Sequence, residues 1–146
     1  MSVALLDVNV LMALAWPNHV HHRAAHAWFG PRRRQGWATT PITQIGFIRV
    51  SSNTRAIPEA RTPLEARELL RRILTLEGHV FWPDDVGISE PPPGPMERVV
   101  GYRQVTDAHL LTLALRHGGR LATFDRGTLD LVPEGVDASE VVELLA

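Results

Sequence analysis

Short apolar runs that stop abruptly alternate along this chain with longer stretches in which apolar residues recur every three or four positions. The short runs read as buried strands and the longer stretches as amphipathic helices. Val3-Ala4-Leu5-Leu6 is the first run, and it stops at one acid, Asp7. Behind it Val8, Leu11, Met12 and Ala15 fall on one helical face, which Trp16-Pro17-Asn18 closes because proline cannot continue a helix. Residues 19–29 predict a second helix, with Val20, Ala24, Ala25, Trp28 and Phe29 inward and Gly30-Pro31 as its stop. Arg32-Arg33-Arg34-Gln35 reads as a basic loop, and residues 36–39 as a short strand. Thr40-Pro41 then opens a helix over 41–51, with Thr as N-cap and Pro in the first turn. Ile42, Ile45, Phe47 and Ile48 fall mostly inward, and Gly46 marks a close packing contact.

Residues 52–61 read as loop. Thr62-Pro63 opens the next helix, running to about Glu77, with the stripe Ala66, Leu69, Leu70, Ile73 and Leu74 and an i,i+4 pair, Glu68 and Arg72, on the wet face. Residues 79–82 predict a strand stopped by Pro83, and residues 90–95 an extended proline-rich surface loop. The last long helix covers 106–117 and ends at Gly118-Gly119. Residues 120–124 form a second strong strand, again stopped by an acid, Asp125. Residues 137–145 read as a short helix. This alternation predicts an α/β fold: a single domain over 1–146, with a central parallel sheet of four or five strands and helices on both faces.

Composition adds mainly exclusions. The chain has 146 residues with 45% hydrophobic content, enough for one compact core, and a formal net charge of -1 that announces no partner. All 15 of its Lys+Arg residues are Arg, the better bidentate partner for phosphate, although GC-rich coding produces the same bias. With no Cys there is no disulfide, thiolate-zinc or cysteine-nucleophile chemistry. No apolar run approaches the roughly 20 residues that span a bilayer, and the start lacks the marks of a signal peptide. The expectation is a cytoplasmic protein with no membrane attachment.

The candidate chemistry lies in the acids. Asp7 and Asp125 each end an apolar strand, and Asp107 lies in a first helical turn behind Thr106. Such positions converge at the carboxyl edge of a parallel sheet, where ligands bind in open α/β folds. Taken singly, each acid reads first as a helix cap. Taken together, three carboxylates repel one another unless a cation neutralises them, and hard divalent ions with oxygen ligands, Mg²⁺ or Mn²⁺, fit. Such ions activate water and neutralise phosphate, which points to phosphodiester hydrolysis.

At these residues the chain resembles a known family. Leu5-Leu6-Asp7-Val8-Asn9-Val10-Leu11 looks like the opening motif of PIN domains. Residues 40–50 resemble their central helix in the bacterial toxin branch, Val105-Thr106-Asp107-Ala108-His109-Leu110 the third motif, and residues 121–127 the fourth. Order and spacing match over nearly the whole chain, and the closest likeness is to the VapC toxins of VapBC toxin–antitoxin pairs. The resemblance implies an Mg²⁺- or Mn²⁺-dependent endoribonuclease that cuts transfer or ribosomal RNA, is silenced by a VapB-type antitoxin and forms homodimers. It further implies Asp7 and Asp107 as the main metal ligands, Asp125 completing the site directly or through water, and Asn9 and Thr123 as supporting polar groups. One departure stands out: the family's second acid, usually Glu, aligns with Gln44. The site then holds three carboxylates, suited to one metal more than to two, and Gln44 is left to orient a water or contact RNA.

Two other readings compete. A haloacid-dehalogenase-type phosphatase needs an acid where this chain has Asn9, and a downstream Lys that the chain lacks. A PIN-like module that binds RNA or protein without cutting draws its support from Gln44. Elsewhere, Arg32, Arg33, Arg34, Arg49 and Arg55 are candidate phosphate contacts, of the kind that supply affinity without sequence choice. His22 and His26 have the i,i+4 spacing of helical zinc ligands, but Arg23 stands where the general base of the H-E-x-x-H motif would be, so they read as a solvated helix face. Asp84-Asp85 reads as a turn, Asp130 as a reserve acid, and the four Trp residues as mostly core.

Overall fold

The computed structural model describes residues 2–89 and 94–145. Five strands, β1 (Ala4–Leu6), β2 (Trp37–Thr39), β3 (His79–Phe81), β4 (Arg120–Thr123) and β5 (Val142–Leu144), form one sheet in the order β3-β2-β1-β4-β5. Every neighbouring pair is parallel. The helices are α1 (Val8–Ala15), α2 (His22–Arg32), α3 (Pro41–Ser51), α4 (Pro63–Ile73), α5 (Val105–Arg116) and α6 (Ala138–Val141).

Strand alternation divides the core in two. Leu6, Trp37 and Ala122 pack on one face of the sheet with Val10, Leu11, Phe29, Phe47 and Leu70 of α1 to α4. Leu5, Ala38, Leu121 and Val142 pack on the other with Leu110, Leu111, Leu113 and Ala114 of α5. The α/β fold with a parallel sheet covered on both faces is thus as the apolar pattern predicts. The fifth strand is not. Residues 137–145 divide into the single turn of α6 and then β5, which extends along β4 through Leu121↔Val142 and Thr123↔Leu144. No helix among the described residues is long and apolar enough to cross a membrane.

Several boundaries move for local reasons. Residues 19–21 form a turn rather than the start of α2, because the His19 ring takes up the His21 backbone N–H; Val20 is left exposed. At the other end α2 runs past Gly30 and Pro31 to Arg32. Pro31 lies in the last turn, and the Arg33 N–H still closes it on the Phe29 carbonyl. In α3 the inward positions are Thr43, Phe47 and Ser51, one helical turn apart, so Ile45 faces out, contrary to the pattern. Gly46 does sit at a close contact: a Cβ there would meet Val8 Cγ2 at 2.6 Å. On α4, Glu68 pairs with Arg71 at 3.5 Å rather than with Arg72. Of the expected proline-rich loop, residues 90–93 lie outside the described residues, and Pro95 is buried in a 3-10 turn, Pro95–Arg98.

Candidate active site

β1 lies between β2 and β4, where the winding of the sheet reverses. Asp7 follows β1 at this point and caps α1: its Oδ1 accepts the Val8 N–H at 2.7 Å. Its own N–H donates to the Ala122 carbonyl at 3.0 Å, which holds Asp7 beside the end of β4. There the fully buried Thr123 hydroxyl donates to Asp7 Oδ2 at 2.8 Å and accepts the Asp125 N–H at 3.0 Å. Asp125 is exposed, and its Oδ1 takes the Gly127 N–H at 2.8 Å. Asp107 comes to the same place from the first turn of α5.

The three acids feel one another. Asp107 is pushed up to about 7, first by burial, then by the charges of Asp7 and Asp125, and by a hydrogen bond that its protonated form gives to Asp125. Burial also raises Asp7; the bonds from Thr123 and Val8 oppose the rise, and the charge of Asp125 adds to it. No Arg or His pairs with any of the three among the described residues. The cluster is therefore anionic, all oxygen and uncompensated, which is the donor set that a hard divalent cation takes up. It is not a closed cage: among the described residues, no three His, Asp or Glu side chains form a ready metal-binding group.

Gln44 reaches this edge from the first turn of α3. Its Nε2 donates to Thr39 Oγ1 at 3.0 Å, and the same hydroxyl meets His79 Nε2 at 2.7 Å. It is Thr43 that closes on the N-cap, accepting the Thr40 N–H at 3.1 Å. Asn9 is exposed on α1, and no hydrogen bond fixes its side chain among the described residues.

Of the candidate phosphate contacts, Arg32 needs correction. Arg32 is buried and gives its guanidinium to Glu143 of β5, at 2.7 Å from Nη2 and 3.0 Å from Nε, and to the Ser2 carbonyl. These partners lie at the amino edge of β1 and on β5, so Arg32 ties chain ends together and is not free for phosphate. Arg33 and Arg34 follow it in a 3-10 turn at that same edge, away from the acids, and Arg34 reaches Glu77 at 3.8 Å. Arg49 is exposed in the last turn of α3.

The histidine pair lies on a partly solvated face, His26 exposed and His22 half-buried, and each ring also finds a carbonyl. His22 Nδ1 meets the Ala13 carbonyl at 2.7 Å and His26 Nε2 the Leu14 carbonyl at 2.9 Å, so both rings satisfy the open carbonyls at the end of α1. Sequence reading also missed His21, whose ring stacks on Phe124 with centroids 4.3 Å apart, next to Asp125. It missed His109 too, buried on α5 with Nε2 2.8 Å from Asp84 Oδ1; a partner 25 positions away leaves no local signal. Asp130 is exposed, and it is its backbone carbonyl that accepts Arg98 Nε.

This arrangement matches a known family over most of its length. The PIN domain profile matches residues 4–134. Ribonuclease VapC39 of Mycobacterium tuberculosis is 50% identical over 133 residues, covering 91% of this chain and 96% of that protein. Ribonuclease VapC38 of the same organism is 48% identical over 132 residues, covering 90% and 92%. Ribonuclease VapC44, again from Mycobacterium tuberculosis, is 44% identical over 131 residues, covering 89% and 92%. With the three acids on the carboxyl edge of a β3-β2-β1-β4-β5 sheet, the chain belongs to the PIN-domain family, among its VapC-type members.

Proposed function

We propose that this chain is a divalent-metal-dependent endoribonuclease, the toxin of a toxin–antitoxin pair, which hydrolyses phosphodiester bonds of transfer or ribosomal RNA. One observation carries the reading: Asp7, Asp107 and Asp125 meet on the carboxyl edge with no cationic side chain among them. The names of the relatives, ribonucleases all, support the same chemistry. Mg²⁺ keeps several of its waters and takes only one or two carboxylates, so a donor set short of a closed cage suits it, and Mn²⁺ likewise. Asp7 and Asp107 would hold the ion, Asp125 would complete the set directly or through water, and Gln44 would offer a neutral oxygen. Bound there, the ion acidifies water and offsets charge on a phosphate.

The chain's own residues prepare this chemistry. Asp7 is fixed by two hydrogen bonds and needs no reorganisation to present its carboxylate. Thr123 keeps Asp7 and the Asp125 backbone in register. Burial and the neighbouring acids push the Asp107 carboxyl up to about 7, and a cation held beside it would favour its ionised form. Water then attacks phosphorus in line, the bond to O3′ breaks and O3′ takes up a proton, leaving 5′-phosphate and 3′-hydroxyl ends. A VapB-type antitoxin is the partner that this reading implies, a homodimer its assembly and the cytoplasm its place.

The test is RNA cleavage by protein freed of antitoxin, with Mg²⁺ or Mn²⁺, against EDTA and Asp7→Asn controls. Discrete cuts that vanish in both controls support the reading. Folded protein that binds RNA and makes no cuts would leave the non-cleaving module, with Gln44 as its mark.

A further inference from the structure

The chain Gln44–Thr39–His79 runs from the candidate site into the edge of the sheet. Thr39 is fully buried at the end of β2, and its hydroxyl has one proton and two contacts, at 3.0 Å to Gln44 Nε2 and 2.7 Å to His79 Nε2. The amide nitrogen of Gln44 donates to it. For the buried hydroxyl proton to have an acceptor, it must go to His79 Nε2, which leaves the ring's own proton on Nδ1. His79 is held in place by β3 and by the Trp37 ring, 4.8 Å away between centroids.

We infer that His79 is a positioning residue which, through Thr39, fixes the polarity of the Gln44 amide, so that the carbonyl oxygen is the end presented to the carboxylate site. The inference rests on the reading of Gln44 as part of a metal site. It addresses what is particular to this chain. A carboxylate has two equivalent oxygens and presents one whichever way it is held. An amide presents either an acceptor or a donor, and only the acceptor suits a cation. A chain with Gln at this position therefore needs a device that a chain with Glu does not. Remove the acceptor at His79 and the Thr39 proton turns to Gln44; the amide rotates, and NH₂ replaces the carbonyl oxygen at the site.

The experiment has two arms. The first is ¹⁵N NMR of the histidine rings in the unaltered protein. A His79 ring protonated at Nδ1 supports the relay, and one protonated at Nε2 reverses its polarity and overturns it. The second is Mn²⁺ affinity, measured by calorimetry, for His79→Phe and for Thr39→Val, each in the Gln44 protein and in Gln44→Glu. Each change should weaken Mn²⁺ binding about tenfold beside Gln44, the scale of outer-shell losses at metal sites. Each should leave it unchanged in the Gln44→Glu background, where orientation no longer matters. Equal losses in both backgrounds would show a merely structural role and overturn the inference alone. Absence of Mn²⁺ binding in the unaltered protein would overturn the site reading itself.

Discussion

The Thr123 hydroxyl donates to Asp7 Oδ2 at 2.8 Å across the seam between β1 and β4. The two residues are 116 positions apart, and one proton joins the ends of the two central strands. Asp7 is only 8% exposed, so water does not replace that donor. Thr123→Val should cost about 1–3 kcal/mol of stability by leaving the carboxylate short of a partner. It should also raise the proton affinity of Asp7 further and weaken Mn²⁺ binding by about tenfold or more. Thr123→Ser should keep both properties. Denaturant unfolding and Mn²⁺ titration check this, and a Val variant with unaltered Mn²⁺ affinity would remove Thr123 from the site.

Asp107 gives a dependence on pH. Its folded value of about 7 lies above the ordinary 3.8, so the folded state holds its proton more tightly than the unfolded chain. Stability from this group is therefore complete below the ordinary value and is lost as pH rises toward and through 7. Asp107→Asn mimics the protonated acid. In EDTA it should change little near pH 3, below the ordinary value, and raise the melting temperature increasingly from there up to about pH 8. A gain of the same size at both pH values would show that the acids do not repel one another in the fold.

The ion pair of Arg32 and Glu143 makes the opposite prediction. Burial alone would raise Glu143, but bonds from Arg32 and Trp28 and the charges of Arg32 and Arg120 bring it below the usual glutamate value. Its contribution is present above that usual value and is lost as pH falls through the lower, folded one. Glu143→Gln should destabilise by about 2 kcal/mol at neutral pH, less than for a fully buried pair because water still reaches the carboxylate. The deficit should shrink in acid. Arg34→Ala, at an exposed pair 3.8 Å long, should stay within about 0.5 kcal/mol. Melting curves over a pH series test both.

Gly46 and Val8 set how closely α3 approaches α1. A methyl at residue 46 overlaps Val8 Cγ2, so Gly46→Ala should cost about 1–3 kcal/mol despite the gain in helix propensity. Val8→Ala removes the obstacle. The double variant should be more stable than Gly46→Ala alone, and a strictly additive result in denaturant unfolding would show that the two do not touch.

Most of the sheet and the three acids were legible because their signals are local. Leu6-Asp7, Thr123-Asp125 and Thr106-Asp107 are each a few residues long, and the apolar runs beside them locate strand ends. Thr40-Pro41 likewise placed the start of α3 correctly. Arg32 was misread because its partner, Glu143, is 111 positions away and no spacing connects them. β5 was misread for a related reason: the capping acid Asp137 announces a helix, and only the exposed edge of β4 tells Val142–Leu144 to extend. The polarity of Gln44 lay equally out of reach, since it depends on a hydroxyl and a ring brought together by the pairing of β2 with β3.

The order β3-β2-β1-β4-β5 has a temporal consequence. The central strand is made first, and its neighbour β4 more than 110 residues later. A ribosome that has emitted Asp7, α1 to α4 and even Asp107 has not yet made Thr123 or Asp125, and β5, which clamps β4, comes last of all. The carboxylate set therefore exists only once the chain has been made through Asp125. A shorter stretch of the chain lacks part of the oxygen donor set on which the proposed chemistry depends.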